Sequence, residues 1–401
     1  METYLAESHI ISRNHLLWKE CDRLCFASKN LYNRTLYLVK EILEKEGKVP
    51  TWYSMYNIMK TEECFKALPN DVAKQVLAQV VNGYFNFFKA IKAYAKNKSG
   101  FKAVPKPPDF KSKLKGRNVL TVNQRCCRLK DSTILFNKHL KLNLPTKVDN
   151  LVEVKITPQR SCYKIQVCYR KSIPEKVDSP RKLAVDLGIN NLCTISNNFK
   201  ASPIILNGKP LKSINKYSNK LIAKTQSALM KNHGKYSSRE LQRLFLKRQC
   251  KMSHYLHHCS KYLVDYAVEN GVSEIAIGYN PGWKQDVSLG KVTNQTFVQI
   301  PYYTFINQIK YKAALQGISV LLNEESYTSK CSALDLESIE KHDEYKGERI
   351  KRGLFVSSKN ILINADLNGS INIGRKVLGD AFGLSNIGCV VQPVKVTPLQ
   401  N

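Results

Sequence analysis

Leu183-Ala184-Val185-Asp186-Leu187-Gly188 is an apolar run interrupted by a single acid. Its length, its aliphatic content and the glycine that ends it read as a buried strand. A carboxylate inside such a strand is costly unless a partner or a cation meets it, so Asp186 points to chemistry rather than packing. Outward from it, residues 192–196 and 204–206 read as further strands at hairpin distance. A basic helical region follows over about 213–269, carrying Arg239, Arg243, Lys247, Arg248 and Lys251. Then come a strand at 274–279, a helix near 302–315, a strand at 318–323 and a last helix over about 366–378.

Three strands, helix, strand, helix, strand, helix is the RNase H order. Nucleases of that type hold two divalent metals, roughly 3.5–4 Å apart, between carboxylates. Mg²⁺ (or Mn²⁺) suits such oxygen ligands and keeps several waters. Asp186 supplies the first acid. Ile363-Asn364-Ala365-Asp366-Leu367-Asn368-Gly369 supplies the last, Asp366, at the head of the final helix. A plain helix cap is the competing role there, but small Gly369 and Ser370 favour a close approach of this helix to the sheet. The middle acid is missing, because the fourth strand ends in Ile277-Gly278-Tyr279-Asn280. Either the centre is inactive or a neighbouring strand supplies the acid. The fifth strand runs beside the fourth, about 4.8 Å away, and it ends in Asn323-Glu324-Glu325-Ser326. Consecutive strand residues face opposite ways, so one glutamate turns inward: Glu325 is preferred and Glu324 is the alternate.

The first half has a different texture. Residues 2–11 alternate as a strand, and the spacing over 16–45 is helical. Leu68-Pro69-Asn70-Asp71 reads as a helix start with an Asn or Asp cap. Beyond it Val72, Val76, Val80, Tyr84, Phe87, Phe88 and Ile91 form an apolar stripe suited to a core. Over 96–117 lies a proline-stiffened basic stretch with interleaved Phe101 and Phe110. Its Lys102, Lys106, Lys111, Lys113, Lys115 and Arg117 are candidate phosphate contacts. Short strands at 133–137, 140–144, 152–157 and 163–169 suggest a small β-barrel or sheet closing with the first strand, and 172–180 reads as a linker.

Charge narrows the partner. Lys and Arg number 63 against 32 Asp and Glu, a net charge of +31. Such an excess repels itself unless a polyanion neutralises it, and nucleic acid does so with release of counterions. A membrane surface competes on charge alone, but no run approaches the roughly 20 apolar residues of a spanning helix. The start lacks the pattern of a signal peptide, so membrane residence is not expected. The 12 cysteines contain no C-x-x-C pair, the pattern of reduced structural thiols in a cytoplasmic protein.

Together, Ala184–Asn191 (AVDLGINN), residues 278–286 (GYNPGWKQD), 324–330 (EESYTSK), 351–355 (KRGLF) and 363–373 (INADLNGSINI) resemble the TnpB nucleases of insertion sequences, relatives of the compact type V CRISPR effectors. The resemblance implies an α+β multidomain fold. A β-barrel wedge domain (1–15 and 97–178) carries an inserted helical recognition domain (16–96). A RuvC-like RNase H-fold nuclease domain (179–326 and 363–380) follows, interrupted by a degenerate zinc-ribbon-like insert (327–362), and a tail (381–401) ends the chain. It implies a guide RNA, derived from the transposon end or of CRISPR type, and double-stranded target DNA cut beside a short flanking motif in the bacterial cytoplasm. A monomer is favoured. By position Lys74, Gln75 and Gln79 would read that motif, as Lys and Gln can in a major groove. Lys330, Lys341, Arg349, Lys351 and Arg352 would make the insert face nucleic acid. Trp283 is a candidate for stacking on a base, with core packing as the other reading, and Lys284 is a further candidate contact. Two departures stand out. The family glutamate at the Gly278 position is absent, although a branch with this Gly-Tyr-Asn pattern carries Glu-Glu after the next strand. The four-cysteine zinc ribbon is also absent: Cys331 alone remains near one knuckle and Ser357-Ser358 occupy the other, so no zinc is expected. A nuclease-inactive RNA-guided repressor and a CRISPR-associated effector of the same fold are the rival readings, and a strand-transferring transposase ranks last.

Overall fold

The computed structural model describes residues 2–137, 140–280, 299–382 and 393–398. The chain divides into two units, Glu2–Lys171 and Ser172–Asn401.

The first unit runs β1 (Glu2–Ser12), α1 (Trp18–Glu46), α2 (Trp52–Met59), α3 (Glu63–Lys66), α4 (Asn70–Lys96), β2 (Leu120–Asn123), β3 (Cys127–Lys130), β4 (Thr133–Phe136), β5 (Asn143–Pro145), β6 (Leu151–Pro158) and β7 (Cys162–Ser172). Val72, Val76, Val80 and Tyr84 of the α4 stripe are buried, each such side chain contributing about 1.5–3 kcal/mol by burial. The stripe fades toward the helix end, where Phe88 is exposed. The helix opens differently from the sequence expectation. Pro69 occupies the cap position and no side chain caps it; Asp71 instead lies in the first turn, 3.9 Å from Lys74. The expected single barrel is described as two sheets, β1-β7-β6-β2 and β3-β4-β5. The cause is local: Asp131 and Ser132 both take positive φ, the two-residue turn that makes β3 and β4 a tight hairpin of their own.

The second unit runs β8 (Lys182–Leu187), β9 (Asn191–Asn197), β10 (Ile204–Asn207), α5 (Lys209–His233), α6 (Arg239–Glu269), β11 (Glu274–Gly278), α7 (Tyr302–Ala314), β12 (Ser319–Asn323), β13 (Glu348–Lys351), β14 (Leu354–Val356), β15 (Leu362–Asn364), α8 (Ala365–Leu378) and β16 (Val394–Val396). Its main sheet has the order β12-β11-β8-β9-β10-β16. β8, β9 and β10 form an antiparallel meander, and β11 lies parallel to β8 with β12 parallel to β11. Leu183, Val185 and Leu187 point into the core shared with α6 and α7. Alternate Ala184 faces the other way, joining Ala276 and Ile373 beneath α8.

The stretch expected as a tail contributes a strand: β16 adds to the sheet edge parallel to β10. The insert forms its own sheet, β13-β14-β15, and β15 runs directly into α8, so the boundary expected at 362/363 falls inside a strand. No helix among the described residues is long and apolar enough to cross a membrane.

Candidate functional site

Alternation along β8 decides where Asp186 points. With Leu183, Val185 and Leu187 committed to one core, Ala184 and Asp186 must face α8. Small residues let that helix come close. Ser370 Oγ donates to Ala184 O at 2.8 Å, and a Cβ on Gly369 would stand 2.9 Å from Asp186 Oδ2. Burial, then the charges of Glu325 and Asp366, push the Asp186 carboxyl well above the ordinary range, against a smaller opposing effect of Arg349.

The glutamate after β12 that approaches this centre is Glu325. β12 pairs in register with β11, Asn323 opposite Gly278, and Asn280 Oδ1 accepts from Glu325 N at 2.8 Å. The side chain then lies over the bare glycine: a Cβ on Gly278 would meet Glu325 Oε1 at 2.5 Å. Burial raises the Glu325 carboxyl to about 7, and its Oε1 is buried with no hydrogen-bond partner among the described residues. Glu324 turns outward, is exposed, and lies 3.7 Å from Lys376.

Asp366 stands at the second position of α8 and is not the helix cap. Asn364 caps the helix, its Oδ1 accepting from Asp366 N at 3.0 Å and Leu367 N at 3.1 Å. The Asp366 carboxylate is left for other partners. Asn191 Nδ2 donates to its Oδ2 at 2.7 Å, and Arg349 lies 3.5 Å from its Oδ1. Arg349, expected on a nucleic-acid-facing hairpin, therefore leans onto the acidic centre. Asn191, and Lys395 behind it at 3.3 Å from Asn191 Oδ1, escaped sequence reasoning. AVDLGINN contained Asn191 without marking a role, and nothing marked Lys395.

Among the described residues no three His, Cys, Asp or Glu side chains draw together tightly enough to enclose a metal ion. The donor set nonetheless fits a hard divalent cation. Asp186, Glu325 and Asp366 offer only carboxylate oxygens, and the buried, unpartnered Glu325 Oε1 is an acceptor awaiting a positive partner.

The basic candidates separate into two kinds. Lys102, Lys106, Lys113 and Lys115 are exposed, as are Lys330 and Arg352. Arg117, a candidate phosphate contact, is engaged within the protein: its guanidinium grips Asp22 through two bonds of 2.9 Å, and Tyr163 donates to the same carboxylate at 2.5 Å. The Arg117 bond, ahead of the opposing burial, holds the Asp22 carboxyl below its usual range. Lys111 is half-buried with Nζ 4.7 Å from the Tyr32 ring, its main chain clamped by Asn33 at 2.8 and 2.9 Å. Gln79 Oε1 accepts from Asn118 at 3.0 Å and shares a cleft with Gln75. Lys74 Nζ sits 4.7 Å from the Tyr56 ring. Trp283 and Lys284 lie outside the described residues.

In the insert, Asp335 ties Ser332 to Ser358 by hydrogen bonds. Asp335 accepts from Ser332 Oγ at 2.6 Å, from Ser358 N at 2.9 Å and from Ser358 Oγ at 2.5 Å. Cys331 is buried, its thiol 3.6 Å from Glu340 O.

Comparison with known proteins places these motifs. Residues 161–284 match the family OrfB_IS605, described as "Probable transposase". Residues 302–373 match the "Cas12f1-like, TNB domain". Each family match covers less than half of the chain. The "TnpB-like protein ORF457" of Acidianus two-tailed virus is 30% identical over 218 residues, 52% of this chain and 45% of that protein. The chain thus spans less than half the length of this curated relative. Among solved structures, a Cas12f1–sgRNA–target DNA complex is similar at 15% identity, over 92% of this chain and 98% of that one, with a TM-score of 0.38. The mini-RNA-guided endonuclease CRISPR-Cas_phi3 is similar at 11% identity, over 98% and 93%, with a TM-score of 0.48.

Proposed function

We propose that this TnpB-like chain is an RNA-guided, Mg²⁺-dependent DNA endonuclease with a RuvC-like centre, transposon-associated, cutting beside a short flanking motif. The observation that carries the reading is the approach of Glu325 and Asp366 to Asp186, with Glu325 Oε1 buried and without a hydrogen-bond partner among the described residues. A carboxyl pushed up by burial and by two neighbouring carboxylates, beside a buried acceptor left unsatisfied, is destabilising unless function requires it.

In this reading Asp186, Glu325 and Asp366 hold the metals. When bound, Mg²⁺ or Mn²⁺ supplies positive charge that activates water and stabilises the leaving oxygen of a phosphodiester. Glu325 stands in for the acid missing at Gly278, and Asn191 aims Asp366. Exposed Lys102, Lys106, Lys113 and Lys115 contact phosphates of guide or target, and Lys330 and Arg352 do so from the insert. The unit Glu2–Lys171 reads the flanking motif, and the working form is a cytoplasmic monomer.

The test is to sequence the RNA that co-purifies with the protein and offer matching double-stranded DNA with Mg²⁺. Guide-directed cutting that Asp186→Ala abolishes supports the reading, while protein free of RNA counts against it. A second reading, a nuclease-inactive RNA-guided repressor, is favoured by one observation: the described carboxylates do not close into a metal-enclosing group. Guide-directed binding without cutting would select it.

A further inference from the structure

We propose that Lys395, on the C-terminal strand β16, is a positioning residue for the acidic centre, acting through Asn191 on Asp366. The inference rests on the nuclease reading above and assigns a role to a segment outside every motif in the chain.

The strand puts Lys395 there by register. β16 pairs parallel to β10 with Lys395 opposite Ile205. Val394 N donates to Pro203 O at 2.8 Å, and Asn207 Nδ2 to Thr397 Oγ1 at 3.1 Å. β10 in turn lies antiparallel to β9, with Asn207 opposite Asn191. Two ladder steps thus bring a residue near the chain's end to a residue that opens β9.

The chemistry lies in the two ends of the Asn191 amide. Its Nδ2 donates to Asp366 Oδ2 at 2.7 Å, and its Oδ1 accepts from Lys395 Nζ at 3.3 Å. Flipped by 180°, the amide would set oxygen against carboxylate and NH₂ against ammonium. Only one orientation satisfies both charges, and the cation polarises the amide toward the carboxylate. Without Lys395 the amide loses the charge that selects its orientation. Asp366 is then left with Arg349 at 3.5 Å and the repulsion of the Asp186 carboxylate. Metal ligands tolerate only about 0.5 Å of misplacement, and groups that orient them are typically worth roughly 10–100-fold in metal affinity or activity.

The test uses full-length protein with its co-purified RNA and four variants: K395M, K395R, N191A and K395M/N191A. Mn²⁺ binding without DNA, single-turnover cutting at saturating target, and target affinity across salt are measured for each. K395M and N191A are each expected to weaken Mn²⁺ binding and slow cutting by roughly 10-fold, with target affinity unchanged. The double variant should be no worse than N191A alone, and K395R should recover most of the loss. Unchanged Mn²⁺ binding in K395M overturns the proposal, as do losses that add in the double variant. So does a drop in target affinity with a shallower salt dependence, which would make Lys395 a phosphate contact. Wild-type protein that binds no Mn²⁺, or an Asp186→Ala variant that still cuts, would defeat the nuclease reading itself, a result distinct from an unresponsive Lys395 in an active enzyme.

Discussion

Replacing Gly278 by alanine adds one methyl group and no charge, yet it should cripple cutting. The new Cβ would stand 2.5 Å from Glu325 Oε1, 2.7 Å from Glu325 Cγ and 2.5 Å from Ile373 Cδ1, where ordinary contacts begin at 3.4 Å. Something must therefore move by about 1 Å. Ile373 is buried against Ala184 and Ala276, whereas Glu325 follows the strand end and has the freer path. A 1 Å displacement of a group in the reacting constellation is worth about 10²-fold in rate, or about 2.7 kcal/mol of barrier. Overpacking should cost about 1–3 kcal/mol of stability. The assay is single-turnover cutting with co-purified RNA, paired with thermal unfolding and RNA retention. The expected result is a roughly 100-fold slower reaction by a folded, RNA-bound protein. Moving the acid back, by Gly278→Glu with Glu325→Ala, should outperform Glu325→Ala alone, because the vacated room then receives a carboxylate. Gly278→Ala protein that cuts within twofold of wild type would refute the placement of Glu325 over this glycine.

Asp186→Ala, Glu325→Ala and Asp366→Ala should each abolish Mg²⁺-dependent cutting while target binding, read by gel shift, persists; Glu324→Ala should stay close to wild type. In metal-free protein Glu325→Gln should raise the melting temperature at pH 8 and converge with wild type near pH 5. The Glu325 carboxyl is raised from 4.5 to about 7 by burial, so its protonated form suits the fold and stability falls as pH rises through that interval, by about 3 kcal/mol; parallel melting curves at both pH values would contradict this. Elemental analysis should find no stoichiometric zinc, and Asp335→Ala should speed proteolysis within 327–362 while chelators do not; one zinc per chain would show that unrecognised ligands hold the insert.

Much of the second unit was legible because its signals are periodic. A short apolar run broken by one acid marks β8, and the switch to helical spacing marks the crossovers, so neighbouring strands follow from order alone. That reasoning reached Glu325 as well, since a parallel neighbour and strict side-chain alternation leave few places for a displaced acid. Elsewhere local signals misled. Asn70 and Asp71 suit a helix cap, yet the helix starts directly after Pro69. Arg117 ends a basic run and reads as solvated, but Asp22 and Tyr163, distant in sequence, take it up. Asp366 had a cap as its competing role, and Asn364 two residues earlier performs that role.

By itself the sequence carried the net charge of +31 that makes a polyanionic partner the expectation, and it marked Asp186, Glu325 and Asp366 as candidate acids through strand alternation and helix position. Tertiary structure alone decided what surrounds those acids. Asn191 and Arg349 reach Asp366 from β9 and β13, and Lys395 reaches Asn191 from β16, elements with no common spacing or motif. The reason is physical: alternation and helical period are properties of a few consecutive residues, whereas a carboxylate's partners are chosen by which strands share a sheet, and that choice leaves no local mark.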